Sequence, residues 1–219
     1  NHPITNHNVV VSTDFPAYQS LVFNQPEGDY LITPASSDWN LGNNWTMEFW
    51  INANNASNSG IHIPGGQWGL IDQGGWYGGR PNNTILIGLA GGYLTIPQDR
   101  DNEIQFAEPT PGVWTHVAVV NNGGGSAQKV YYNGVEQTKT SGTYQSNGWT
   151  NTAADLYIGR LSNHYGDYAS HFDGKMALVR ISNTAKYTEN FDPSNSYGSQ
   201  DGTVLLLSSA NPLSDLSGY

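Results

Sequence analysis

The stretch VWTHVAVVNNGGGSAQKVYYNGVEQ, residues 113–137, decides how this chain is read. Residues 113–120 are rich in β-branched and aromatic side chains, which suit a pleated, half-buried surface. Residues 121–126 are almost all Asn and Gly, so the backbone there can take the positive φ angles of a reversal. Residues 129–132 form a second strand. Asn133-Gly134 then supplies the type I′ turn signal, a strong short-range hairpin cue. The whole reads as strand, loop, strand, tight turn, strand.

Working outward, WTMEFWI at residues 45–51 alternates cleanly. Trp45, Met47, Phe49 and Ile51 share one face and are predicted core; Thr46, Glu48 and Trp50 share the other and are predicted to look out from the sheet. Further strands are expected at 9–11, 67–72, 104–106, 156–158, 175–181 and 204–207. Residues 20–23 and 29–33 are expected to pair around the turn Gln25-Pro26-Glu27-Gly28. Residues 84–89 and 93–96 are expected to pair around Gly91-Gly92. The single helical candidate is 183–191. Loops fill the rest, with Trp39 and Leu41 tucked beneath 35–44.

The chain has 219 residues, no Cys, 26 Gly and 12% aromatic residues. That suits one all-β domain with many short strands and turns and a sizeable core. Disulfides and thiolate metal sites are excluded. The formal net charge is −10, with only 8 Lys and Arg. No basic cluster exists to follow a phosphate backbone, so nucleic acid is excluded as a partner. No apolar run reaches spanning length, which argues against membrane insertion. Charged residues are 12% of the chain, so the surface must be largely Asn, Ser, Thr, Gln and Gly. Such a coat is common on extracellular, cell-surface and virion proteins. The acidic balance serves solubility, and it is also compatible with Ca²⁺.

Four segments, in order, carry a resemblance. They are SLVFNQPEGDYLITP at 20–34, WTMEFWIN at 45–52, the W-x-H-V-A … Y-x-N-G-V meander, and DLYIGR with FDGKMALVRISNTAKYTENFDP at 155–160 and 172–193. Together they resemble the concanavalin A-like jellyrolls, in the laminin-G-like and pentraxin-like branch. The resemblance implies an antiparallel two-sheet jellyroll β-sandwich spanning residues 1–219. It also implies, as a frequent family feature, a Ca²⁺ site at the rim, with Asp99, Asp101, Glu103, Asp167 and Asp215 as available acids and no set singled out. The fold hosts lectins, adhesion modules, structural domains and glycoside hydrolases, so it does not name a function.

The candidate chemistry is sparse. Glu48 lacks a partner at strand spacing, and the E-x-D-x-x-E pattern of laminarinase-like enzymes is absent; glycoside hydrolysis needs a pair of carboxylates. His116 has neither a nucleophile elbow nor a neighbouring acid in sequence. Glu48 is expected to be structural or to serve binding, and His116 to be a buried, satisfied histidine, leaving no catalytic residue. Loop aromatics are the better candidates, because sugar C–H faces stack on rings while Asn, Asp and Gln read hydroxyls. On that basis Trp76, Tyr77, Trp149, Tyr165 and Asp167 are the expected ligand-binding residues; packing as caps on the sandwich is the competing role.

The expected function is non-enzymatic glycan binding or adhesion by an extracellular or virion-surface domain. The partners are then glycans, or copies of the chain itself if it is a building block of a filament or surface layer. A glycoside hydrolase with no recognisable motif is the third reading. The chain begins at Asn1 without a leader pattern, and Asp215-Leu216-Ser217-Gly218 resembles a motif that often opens family domains. One copy of a tandem or end-to-end array is therefore expected alongside an arbitrary boundary.

Overall fold

A computed structural model of the chain describes residues 2–15, 19–57, 67–73, 86–97, 103–123, 128–144, 149, 153–161, 171–198, 202–208 and 214–217. Two antiparallel sheets face each other across one core, as the jellyroll reading expects. The seven-stranded sheet runs in the order β1 (Thr5–His7), β4 (Tyr30–Thr33), β13 (Leu156–Ile158), β6 (Gln67–Gln73), β7 (Leu86–Ala90), β8 (Tyr93–Pro97), β9 (Glu103–Ala107). The nine-stranded sheet runs β12 (Val135–Glu136), β11 (Lys129–Tyr132), β10 (Thr115–Asn122), β5 (Asn44–Ala53), β14 (Gly174–Ser182), β15 (Thr203–Ser208), β16 (Ser214–Asp215). β3 (Ser20–Phe23) also pairs with β14, and β2 (Val10–Ser12) with β3.

The two segments that anchor the sequence reading are neighbours. β10 pairs with β5 over its full length, from Thr115 opposite Ile51 to Asn122 opposite Asn44. Trp45, Met47, Phe49 and Ile51 enter the core with Val117 and Val119, as alternation requires. The Asn133-Gly134 turn has φ of 49° and 78°, both positive, as a type I′ turn demands. Asn133 also fastens β10: its Oδ1 accepts the His116 N–H at 2.9 Å.

Two expectations are corrected. β3 and β4 do not pair with each other; they lie in different sheets. The intervening residues form a 3-10 turn, Gln25–Glu27, that carries the chain across the sandwich. The turn chemistry was read correctly, but a crossover uses the same residues as a hairpin. Residues 183–191 are not helical; the only helical turn near them is the 3-10 stretch Pro193–Gly198.

β14 carries the main irregularity. Ala177 lies opposite Trp50 and Arg180 opposite Glu48, so Leu178 and Val179 together oppose Phe49. This is a β-bulge, with Leu178 at φ 51°, a conformation that costs an L residue about 1–2 kcal/mol. The extra residue rephases the strand. Without it Arg180 would share Phe49's side and enter the core; with it, Arg180 shares the outer side with Glu48.

Residues 183–198 then return across that outer side as a strap. Thr46 Oγ1 donates to Thr184 O at 2.9 Å and accepts the Lys186 N–H at 2.9 Å. Glu136 N–H donates to Asn190 Oδ1 at 2.9 Å, and Phe191 N–H to Gly134 O at 3.0 Å. Tyr187 and Phe191 stack at 3.6 Å and close a second small core of Ala118, Val120 and Tyr131. The predicted open face is thus covered, and Thr46 and Glu48 are both 0% exposed.

Beyond the strap, Phe15 packs its ring 5.2 Å from Trp50 and 4.8 Å from Trp114. Its neighbour Asp14 pairs with Lys175 and accepts from Ser20 Oγ at 2.7 Å. Asp215 ties both ends of the chain: it accepts from the N–H groups of His2, Leu206 and Ser217.

A Cβ at Gly134 would lie 1.7 Å from Phe191 O, whereas one at Gly91 meets nothing within 4 Å. Gly134→Ala should therefore cost at least about 3 kcal/mol and Gly91→Ala only about 1 kcal/mol, read as urea unfolding midpoints. The Lys175 ammonium, aided by Ser20, holds Asp14 down at about 2. A depressed carboxylate stabilises the fold above its ordinary range and loses that contribution as pH falls toward about 2. Acid titration of stability should show this loss, at most about 1 kcal/mol for so exposed a pair, and Asp14→Asn should remove it.

Candidate functional site

The outer side of the nine-stranded sheet holds the acid that sequence singles out. Glu48 reaches Arg180 on the next strand: Arg180 Nε donates to Glu48 Oε1 at 2.7 Å, and Nη2 donates to the same oxygen. Glu48 Oε2 accepts from Tyr187 Oη at 2.8 Å and stands 3.2 Å from His116 Nε2. Glu48, His116 and Arg180 are all 0% exposed, and the Tyr197 ring lies 4.8 Å from Arg180 Cζ. His116 therefore does have an acid beside it, brought by strand pairing from a distant part of the sequence. Both Glu48 oxygens are engaged and roofed by the strap. A general acid or nucleophile must reach substrate, and this carboxylate does not.

The outer side of the seven-stranded sheet is different. Tyr30 on β4 and Tyr157 on β13 occupy outward positions of their alternating strands, and both are half-buried. His7 stacks on Tyr30 at 4.1 Å. Arg160 lies over both tyrosines, its Cζ 4.6 Å from the Tyr30 centroid and 5.3 Å from that of Tyr157. Its Nε donates to Leu161 O at 2.9 Å. His171 bridges to Arg160 and places its ring 6.0 Å from Tyr30. Gly69 makes this arrangement fit: a Cβ there would lie 2.2 Å from the Arg160 carbonyl carbon. Burial and the Asp155 carboxylate raise the Tyr157 hydroxyl above its ordinary pKa, with Arg160 pulling the other way. The phenol is therefore neutral at ordinary pH and both donates and accepts hydrogen bonds.

Of the residues expected to bind ligand, Trp149 is 4% exposed and stacks on Trp45 at 3.8 Å. It is a packing residue, held by paired hydrogen bonds between its backbone and Gly42. Trp76, Tyr77, Tyr165 and Asp167 lie outside the described residues. Segment 162–170, which carries Tyr165 and Asp167, is joined to the tyrosine patch through Leu161 and His171. Segment 74–85, which carries Trp76 and Tyr77, is joined through Gln73 at the opposite end of the β6–β13 pair, where Gln73 faces Leu156. Tyr30, Tyr157 and Arg160 were missed by sequence reasoning. Their signal is the outward phase of YLIT and LYI, on strands rather than loops.

Of the acids offered for Ca²⁺, Asp215 and Glu103 are described, and Asp99, Asp101 and Asp167 lie outside the described residues. Asp215 is engaged by the N–H groups already named, and Glu103 Oε1 accepts from Gln105 Nε2 at 2.6 Å. Among the described residues no three His, Asp or Glu side chains gather as a metal site. No described helix is long and apolar enough to cross a membrane.

Residues 25–189 match the family described as the concanavalin A-like lectin/glucanases superfamily, in its laminin-G type. The chain belongs to that superfamily. No curated protein matches the sequence. Among solved structures it is similar to the binding domain of Paraclostridial Mosquitocidal Protein 1, with 16% identity and a TM-score of 0.58 over 85% of this chain and 45% of that one. It is similar to the binding domain of botulinum neurotoxin DC in complex with SialylT, with 16% identity and a TM-score of 0.56 over 85% and 44%. It is also similar to domain 4 of AbnA, a GH43 extracellular arabinanase from Geobacillus stearothermophilus, in complex with arabinotriose, with 18% identity and a TM-score of 0.52 over 84% and 82%. The chain thus spans less than half the length of the two toxin domains, and at these identities the likeness is one of fold.

Breaking a buried ion pair by removing one partner costs about 3–5 kcal/mol. Glu48→Gln and Arg180→Met should each lose stability on that scale in urea unfolding. The double variant should lose less than the sum of the two, because neither charge is left alone.

Proposed function

We propose that this chain is a glycan-binding domain of an extracellular or surface protein, that it takes a saccharide at the Tyr30–Tyr157–Arg160 patch, and that it carries out no catalysis. The observation that carries this reading is the patch itself. Two half-buried phenol rings and a guanidinium are held on the outer side of a rigid sheet, with the Asp155 carboxylate acting on the same hydroxyl. Aromatic faces accept the C–H surface of a sugar ring, and hydroxyl, guanidinium and carboxylate groups read its hydroxyls. Tyr165 and Asp167 join the proposal because the described residues that flank their segment in sequence, Leu161 and His171, both adjoin Arg160.

Two of the similar structures hold saccharides: the neurotoxin DC domain with SialylT and the arabinanase domain with arabinotriose. That supports the class of ligand. The arabinanase and the toxins also support an extracellular setting. The hydrolase reading needs two carboxylates flanking a bond, and the engagement of Glu48 by Arg180, Tyr187 and His116 weighs against it.

The test is a glycan array followed by calorimetry on the best hits. Tyr157→Ala should weaken binding about 3- to 10-fold, the scale of one aromatic contact, while Glu48→Gln, if folded, should not. An array without hits, or binding unmoved in Tyr157→Ala, would sink the assignment. Release of reducing sugar from a bound glycan would replace it with an enzyme.

A further inference from the structure

We infer that the saccharide bound at the Tyr30–Tyr157–Arg160 patch carries an oxyanion, a carboxylate or a sulfate ester, and that Arg160 reads it. This deepens the proposed function and rests on it.

The chain has 18 acidic residues against 8 Lys and Arg. In so acidic a protein a cation has many partners available. Arg180 is paired with Glu48, Lys175 with Asp14 and Lys129 with Glu136. Arg160, like Lys139, takes part in none of the described ion pairs, but the Lys139 ammonium donates to Gly142 O. The Arg160 Nε is bound to Leu161 O, and its guanidinium lies over two rings, so its position is set. Among the described residues no hydrogen bond leads from its two Nη atoms. A guanidinium fixed by its stem and its face, with its terminal fork unengaged, matches an oxyanion that can accept two parallel N–H bonds.

The surroundings also argue against a free inorganic anion or a polyanion captured by field alone. The net charge of −10 repels such ligands at distance. Asp155 and Asp72 both act on Tyr157; Asp155 Oδ1 accepts the Ala35 N–H at 2.9 Å, and Asp72 is 1% exposed. Neither pairs with Arg160, yet both oppose a mobile anion nearby. Recognition must therefore be by contact, with the ring contacts of a saccharide bringing the oxyanion to the fork.

The test compares matched ligands by calorimetry at constant ionic strength. The probes are 3′-sialyllactose with lactose, an oligogalacturonate with its carboxyl-reduced form, and a heparin hexasaccharide with its desulfated form. On the unaltered chain at least one acidic member should bind about tenfold or more tighter than its neutral partner, the scale of a charge-assisted fork. Arg160→Gln should abolish that preference, so that the acidic and neutral members of a pair bind alike, whatever the affinity they then share; Arg160→Lys should keep part of it. A preference confined to the first two pairs names a carboxylate, and one confined to the third names a sulfate ester. Equal binding of acidic and neutral members, or a preference that survives Arg160→Gln, overturns this inference and leaves glycan binding standing. Binding of none of the six overturns both. Should Arg160→Gln not fold, the matched pairs on the unaltered chain and Arg160→Lys still decide.

Discussion

The contact between Glu48 and Arg180 constrains more of this molecule than any other. Two charges with 0% exposure lie on the side of a sheet that would ordinarily face water. Removing them from solvent is expensive, and a buried pair seldom stabilises a fold more than apolar residues of the same shape would. What it does impose is order. The pair holds together only if β5 and β14 keep their register, if Tyr187 arrives to satisfy the second carboxylate oxygen, and if residues 183–198 keep water out. Each of these is met by a different part of the chain, so the cluster ties the sheet, the strap and the Asn133-Gly134 turn into one arrangement.

This arrangement divides the protein's two outer surfaces by role. On the nine-stranded sheet the polar groups are turned toward one another and sealed. On the seven-stranded sheet, Tyr30, Tyr157 and Arg160 are held just as firmly, by His7, Leu161 and the close approach over Gly69, but remain half-buried. In concanavalin A-like sandwiches function is set by such local choices rather than by the scaffold. Here one outer surface is sealed around a buried ion pair, and the other carries the patch to which we assign recognition.

Much of the fold was legible in the sequence because strand periodicity is a local signal. The alternation of residues 45–51 placed Trp45, Met47, Phe49 and Ile51 in the core, and Asn-Gly fixed a turn whose geometry admits few other residues. The crossover at Gln25–Glu27 was not legible, since Pro-Glu-Gly serves a hairpin and a 3-10 turn equally well. Nor was the coverage of Glu48, which depends on a segment more than a hundred residues downstream with no periodicity of its own. Trp149 shows the limit most clearly. In sequence it stands in a polar loop, and only the fold reveals that Trp45 waits beneath it. The tyrosine patch is hidden for the opposite reason: Tyr30 and Tyr157 lie on strands, and Arg160 just past one, where the sequence pattern speaks for the scaffold.

The bulge at Leu178 and Val179 has a consequence for how this strand tolerates change. Residues before it and after it obey opposite parity, so β14 is in effect two short ribbons spliced out of phase. On its far edge the first ribbon meets β3 and the second meets β15. Losing a single residue at the splice would swap inside for outside along one of the two halves, placing a guanidinium among Met47, Phe49 and Val119. Substitutions can drift along this strand, but its length is locked, and related chains that lack the extra residue must solve the problem of the opposing carboxylate in some other way.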